Sequence, residues 1–224
     1  MKTWDEAYET IEEFDEVLGD HGKEIQGYLV GGIAFRYLLE KTKGEGEVHK
    51  YRETDDVDIA TNDILPVFEL AEEYNFSAGR SGARLPRDKI SEARVPNPGK
   101  PETFIDLITD YPFMDDLEKE KELTVDFNED FPEIENLDLN VPNPDQLIRA
   151  KKKAYNDTVT RSEKSREQDL DDAKLLNNYR HEIFEILKEE DKIPKDYESK
   201  NFWPEIQDES NVGSYMEQRE LKSR

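Results

Sequence analysis

Apolar residues recur three and four apart between Thr3 and Leu18, at Trp4, Ala7, Tyr8, Ile11, Phe14, Val17 and Leu18, and Gly19 follows. That spacing predicts an amphipathic helix with one stripe against a core, stopped by the glycine. The period then changes. Tyr28-Leu29-Val30 is a short apolar run that breaks at Gly31-Gly32 and resumes as an amphipathic stretch from Ile33 to Lys41, a strand, tight turn and helix in order. Gly44-Glu45-Gly46-Glu47 marks a flexible loop, after which Asp56-Val57-Asp58-Ile59 alternates acids with β-branched residues as a strand does. Pro66 to Tyr74 reads as a further helix, with Pro66 in its first turn and Asp63 close to its N-terminus.

Strand-like runs follow at Ile90 to Val95, Thr103 to Thr109, Leu123 to Phe127 and Leu137 to Val141. Beyond Pro142-Asn143-Pro144 the pattern turns helical, over Asp145 to Asp157, Ser162 to Asn178 and Tyr179 to Glu189. The chain therefore divides into an α/β part over 1–141, a helical part over 142–193 and a polar arm over 194–224 that carries isolated Tyr197, Phe202 and Trp203. The expected class is α+β, a mixed sheet flanked by helices and followed by a helical C-terminal part. No internal repeat is visible.

Composition changes this picture in one respect. The 224 residues hold 55 acids against 31 Lys plus Arg, a net charge of -24, yet the acids are dispersed through periodic apolar segments and form no single block. This is the surface of a protein adapted to high salt, where a Debye length of about 3 Å at 1 M removes most self-repulsion; a halophilic, haloarchaeal source is expected. With no Cys and three His, disulfides, zinc thiolate sites and thiol nucleophiles are excluded and a His-rich metal site is disfavoured. The remaining ligands are carboxylates, which suit Mg²⁺ or Mn²⁺. No segment reaches the run of about 20 apolar residues that crosses a bilayer, and Met1 to Glu6 lacks the apolar core of a signal peptide, so a cytoplasmic protein without membrane contact is expected.

The candidate chemistry lies in the acids of two strands. Asp56 and Asp58 are two residues apart, so on a strand they share a face, whereas Asp55 points to the other. In so acidic a chain a lone Asp-x-Asp pair is ordinarily a solvated surface feature. Val57, Ile59 and Ala60 alter that, because a buried strand tolerates two acids poorly without a cation or partner. Asp106, inside Phe104-Ile105-Asp106-Leu107-Ile108, supplies a third acid on a second strand. Convergent carboxylates are what metal-assisted phosphoryl transfer needs, and Gly31 and Gly32 at a helix N-terminus permit close approach of backbone N–H groups to phosphate oxygens. Arg80, Arg84, Arg87 and Arg94 form either the positive wall of a triphosphate or RNA groove or a flexible basic loop. Lys151, Lys152 and Lys153 are by default a solvated helix face, and Tyr155, Tyr179, Phe202 and Trp203 are core or docking residues before they are stacking platforms.

These residues resemble the nucleotidyltransferase superfamily with the DNA polymerase β-like fold, and within it the branch of abortive-infection AbiEii-type toxins and related nucleotidyltransferase-like proteins. The likeness rests on Gly31-Gly32, on Arg52-Glu53-Thr54-Asp55-Asp56-Val57-Asp58 as an Arg-x-Thr-x-Asp-x-Asp form, and on Asp106. A second block, Pro144 to Lys151 followed by Arg161 and by Gln168-Asp169-Leu170-Asp171-Asp172, also fits. The resemblance implies an enzyme that moves NMP from an NTP to an acceptor hydroxyl with Mg²⁺ or Mn²⁺. It implies Asp56, Asp58 and Asp106 as metal-holding catalytic acids, and Gly31, Gly32, Arg52, Thr54, Lys151, Arg161 and Asp169 as residues that bind the nucleotide or support its site. It further implies an RNA or tRNA acceptor and a separate antitoxin protein. Transfer to a small molecule of the antibiotic type, and a catalytically silent nucleotide-binding or interaction module, are the alternatives.

Overall fold

The computed structural model describes residues 4–43, 56–64, 66, 70, 77–78, 92–96, 103–109, 111, 113–156 and 162–199. In chain order these form α1 (Trp4–Asp20), β1 (Ile25–Val30), α2 (Gly31–Lys43), β2 (Asp56–Thr61), β3 (Ser77–Ala78), β4 (Glu92–Pro96), β5 (Phe104–Ile108), α3 (Met114–Lys119), β6 (Val125–Asp126), β7 (Leu137–Val141), α4 (Pro144–Asn156) and α5 (Glu163–Glu189). The strands make one mixed sheet in the order β3-β4-β5-β2-β1-β7-β6. β2 runs parallel to β5 and β1 parallel to β7, while the β1–β2, β4–β5, β3–β4 and β6–β7 pairs are antiparallel. The protein is thus α+β with a mixed sheet flanked by helices.

Strand alternation gives the sheet two unlike faces. Leu29, Val57, Ile59, Ala93, Val95, Ile105, Leu107, Leu137, Leu139 and Val141 point into the main core with Ile11 and Phe14 of α1, Phe35 and Leu38 of α2, and Leu176, Ile183 and Phe184 of α5. The helical C-terminal part therefore shares the core of the sheet. On the opposite face the described apolar cluster is small, Tyr28, Val30 and Ala60 under Met114 and Leu117 of α3, with Tyr111 at its edge. Asp56, Asp58 and Asp106 have the parity of that second face.

Polar groups fix the layers where apolar contact alone leaves register open. Asp15 of α1 is 5% exposed and accepts backbone N–H groups from Asn136 and Leu137 at 2.7 and 2.8 Å, which ties α1 to the start of β7. Asn143 and Gln146 form a reciprocal capping box at the start of α4: Gln146 N donates to Asn143 Oδ1 at 3.0 Å and Asn143 N to Gln146 Oε1 at 2.9 Å. Asp145 beside them is buried and accepts from Tyr197 and Ser199, so the first residues of the C-terminal arm pack against α4.

Three expectations change. Gly19 does not stop α1: the left-handed residue is Gly22 (φ +60), and the paired bonds Lys23 N to Leu18 O and Gly22 N to Gly19 O close a Schellman end. No separate turn precedes α2, which begins at Gly31 itself. The two helices expected over Ser162–Asn178 and Tyr179–Glu189 are one, because Asn177-Asn178 lowers helix propensity without supplying the Gly or Pro that ends a helix. Most of the Pro66 to Tyr74 stretch lies outside the described residues.

Candidate metal centre

β2 and β5 pair in register with Asp58 opposite Asp106 and Asp56 opposite Phe104. In a parallel pair, directly opposed residues share a face, so the three acids meet on the sheet face that carries the smaller described apolar cluster. One oxygen from each of Asp56, Asp58 and Asp106 lies within 4.8 Å of the others. Asp106 is 4% exposed, while Asp56 and Asp58 are half-buried. The sequence builds this locally: Val57, Ile59, Ile105 and Leu107 enter the core and thereby force the alternate acids to the other face.

Two further features shape the centre. Val30 pairs with Asp58, and the chain turns from Val30 directly into α2 at Gly31, so the N-terminus of that helix opens beside the Asp58 carboxylate. Gly31 has φ +66, and a Cβ there would lie 1.9 Å from Asp58 Oδ2; the glycine is what lets carboxylate and helix start coexist. On the other flank Arg94 of β4 pairs across from Asp106, its Nε donating to Oδ1 at 2.7 Å and its Nη2 to Oδ2. The Arg94 guanidinium also lies 4.9 Å from the centroid of the Phe104 ring.

The donor set fits a hard divalent cation. Oxygens bound to one Mg²⁺ at about 2.1 Å lie roughly 3 to 4 Å apart, a small carboxylate rotation from the separation seen here, and an all-carboxylate set excludes soft metals. The missing Cβ of Gly31 is what makes space for the Asp58 carboxylate beside the helix start, since its Oδ2 lies 1.9 Å from where that atom would stand.

Of the other expected site residues, Lys151 is buried between two acids of α5. Its ammonium lies 2.8 Å from Asp169 Oδ1 and 2.8 Å from Asp172 Oδ2, and the three side chains are 10%, 2% and 3% exposed. Lys151, Asp169 and Asp172 form a buried charged tie between α4 and α5. Lys153 stacks over the Phe113 ring at 4.5 Å and Arg149 pairs with Glu120, so this basic stretch packs α4 on the α3 region. Arg52, Thr54, Arg161, Arg80, Arg84, Arg87, Phe202 and Trp203 lie outside the described residues. Sequence reasoning missed the Arg94–Asp106 fork. Its only signal is the parity of Arg94 between Ala93 and Val95, which places it on the acid-bearing face once β4 is paired with β5.

No family profile and no curated protein matches this chain. No helix among the described residues is long and apolar enough to cross a membrane.

Proposed function

We propose that this protein is a Mg²⁺- or Mn²⁺-dependent nucleotidyltransferase that transfers NMP from an NTP to an acceptor hydroxyl and releases pyrophosphate. The observation that carries the reading is the meeting of Asp56, Asp58 and Asp106 on one sheet face beside the N-terminus of α2. When bound, a divalent ion supplies Lewis-acid polarisation of the phosphoryl oxygens. Asp56 and Asp58, the less buried of the three acids, would hold it together with one oxygen of Asp106. The Gly31 and Gly32 N–H groups are helix-terminal donors suited to the nucleotide phosphates. Asp106, kept rigid by Arg94, orients the acceptor hydroxyl: its oxygen bonds to the α-phosphorus, the bond to the β-phosphate oxygen breaks, and the hydroxyl proton leaves through Asp106 to water.

The RNA or tRNA acceptor and the antitoxin partner rest on the resemblance alone. A net charge of -24 and the engagement of Arg94 with Asp106 favour a second acceptor class, a compact cationic small molecule. Both are tested together. Purified protein in molar KCl with Mg²⁺ and each α-labelled NTP is offered total RNA or a panel of polyamine and aminocyclitol acceptors. Label transfer that Asp58→Ala abolishes supports the reading, and transfer undiminished in that variant refutes it.

A further inference from the structure

Arg94 grips Asp106 along the edge that joins its two carboxylate oxygens. Nε to Oδ1 and Nη2 to Oδ2 form a parallel fork, so one lone pair of each oxygen is already spent on the same planar group. The fork is held from two directions: Arg94 and Asp106 are cross-strand partners in the β4–β5 ladder, and the Phe104 ring lies against the guanidinium. A cation that approaches Asp106 must therefore take one oxygen from its outer side, because the edge on which a carboxylate chelates with both oxygens is closed.

Divalent ions differ in how much they need that edge. Ca²⁺ gathers six to eight oxygens at about 2.3 to 2.6 Å and commonly takes a carboxylate through both. Mg²⁺ requires near-octahedral geometry at about 2.0 to 2.1 Å, accepts one oxygen per carboxylate and keeps waters. We propose that Arg94 determines cation specificity at the acidic centre, closing the chelating edge of Asp106 and so favouring Mg²⁺ and Mn²⁺ over Ca²⁺. This rests on the reading of Asp56, Asp58 and Asp106 as a divalent-cation centre. Arg94 acts through Asp106 and is a positioning residue.

Isothermal titration of the full chain with MgCl₂, MnCl₂ and CaCl₂, in the same KCl buffer, tests it without reference to turnover. The proteins are the wild type, Arg94→Met, Arg94→Lys and Asp58→Asn. Arg94 has a side chain 44% exposed, so neither replacement removes a core group, and circular dichroism checks the fold. Arg94→Lys keeps the positive charge but cannot fork, which separates geometry from charge. In both Arg94 variants Ca²⁺ is expected to bind about tenfold more tightly while Mg²⁺ changes by less than about threefold. An unchanged Ca²⁺ to Mg²⁺ ratio in both overturns the assignment, as does an equal gain for both ions confined to Arg94→Met, which is a pure charge effect. If the wild type binds no divalent ion, or Asp58→Asn binds as the wild type does, the cation centre itself fails. If Asp58→Asn loses binding and the ratio stays fixed, only the role of Arg94 fails.

Discussion

Gly31 and Asp58 are packed so closely that a single added methyl group would lie 1.9 Å from Asp58 Oδ2, inside any permissible contact. Gly31 also has φ +66, which L side chains rarely adopt. Gly31→Ala is therefore expected to cost about 1 to 3 kcal/mol of stability from backbone strain. It also displaces the Asp58 carboxylate. Chemical denaturation reads the first effect and Mn²⁺ binding the second; an alanine variant with wild-type values for both would refute the packing described.

Lys151 provides the second prediction. Removing its ammonium by Lys151→Met takes a buried cation from between two buried carboxylates, Asp169 and Asp172, and is expected to cost roughly 3 to 5 kcal/mol. Replacing all three together, with Asp169→Asn and Asp172→Asn, should recover much of the loss, because the opposite charges of the tie are then removed together. Urea unfolding of the single and triple variants measures the difference. If the single variant keeps full stability, the tie between α4 and α5 is not the main role of Lys151.

Asp130 sets an acid limit to stability. Burial alone would push its carboxyl up, but hydrogen bonds from Lys192, Tyr37 and Lys41 outweigh burial and hold it at about 2, below its ordinary 3.8. A depressed carboxyl stabilises the fold above its unfolded value and loses that contribution as pH falls through the folded one. The stability difference between wild type and Asp130→Asn should thus be constant above the ordinary carboxylate range, and should close as pH falls from 3.8 to about 2. Tyr37 acts at the other limit: burial and the bond to Asp130 raise its hydroxyl, so its contribution is present below its ordinary 10.0 and lost as pH rises beyond it. Thermal melts across pH, compared with Asp130→Asn and Tyr37→Phe, check both directions.

The capping box of α4 gives a fourth. Asn143 is 1% exposed, caps Gln146 N and also donates to Leu123 O at 2.9 Å. Asn143→Ala removes the cap, about 1 kcal/mol, and leaves buried backbone groups unsatisfied, for a total of roughly 2 to 3 kcal/mol. Asn143→Asp restores the cap but not the donor, and should fall between the two in equilibrium unfolding.

Periodicity made much of the fold legible because most elements bury one continuous stripe. Leu137 to Val141 matches β7 residue for residue, and Thr103 to Thr109 and Ile90 to Val95 overlap β5 and β4. The same alternation put Asp56 and Asp58 on one face. What the sequence does not carry is pairing. That β2 lies parallel to β5 with Asp58 opposite Asp106, or that Arg94 falls opposite Asp106, follows from strand order and register, which depend on contacts between distant segments. Short elements also escaped: Met114-Asp115-Asp116-Leu117 has two apolar positions, too few to show a helical period, yet these two cover the second face. The burial of Lys151 was illegible for a related reason. An ammonium near a helix surface and one sunk between two acids of a neighbouring helix have the same local sequence.

The parallel pairing of β2 with β5 has a consequence for how the centre comes into being. Its ligands arrive from strands separated in the chain by the whole β3–β4 segment, and a parallel ladder cannot form until that intervening length has closed on itself. Asp56 and Asp58 come together as soon as β2 is extended, but Asp106 joins them only when the β2–β5 ladder forms. A chain in which β2 and β5 are unpaired thus carries an incomplete ligand set, and completion of the centre reports that this ladder has formed.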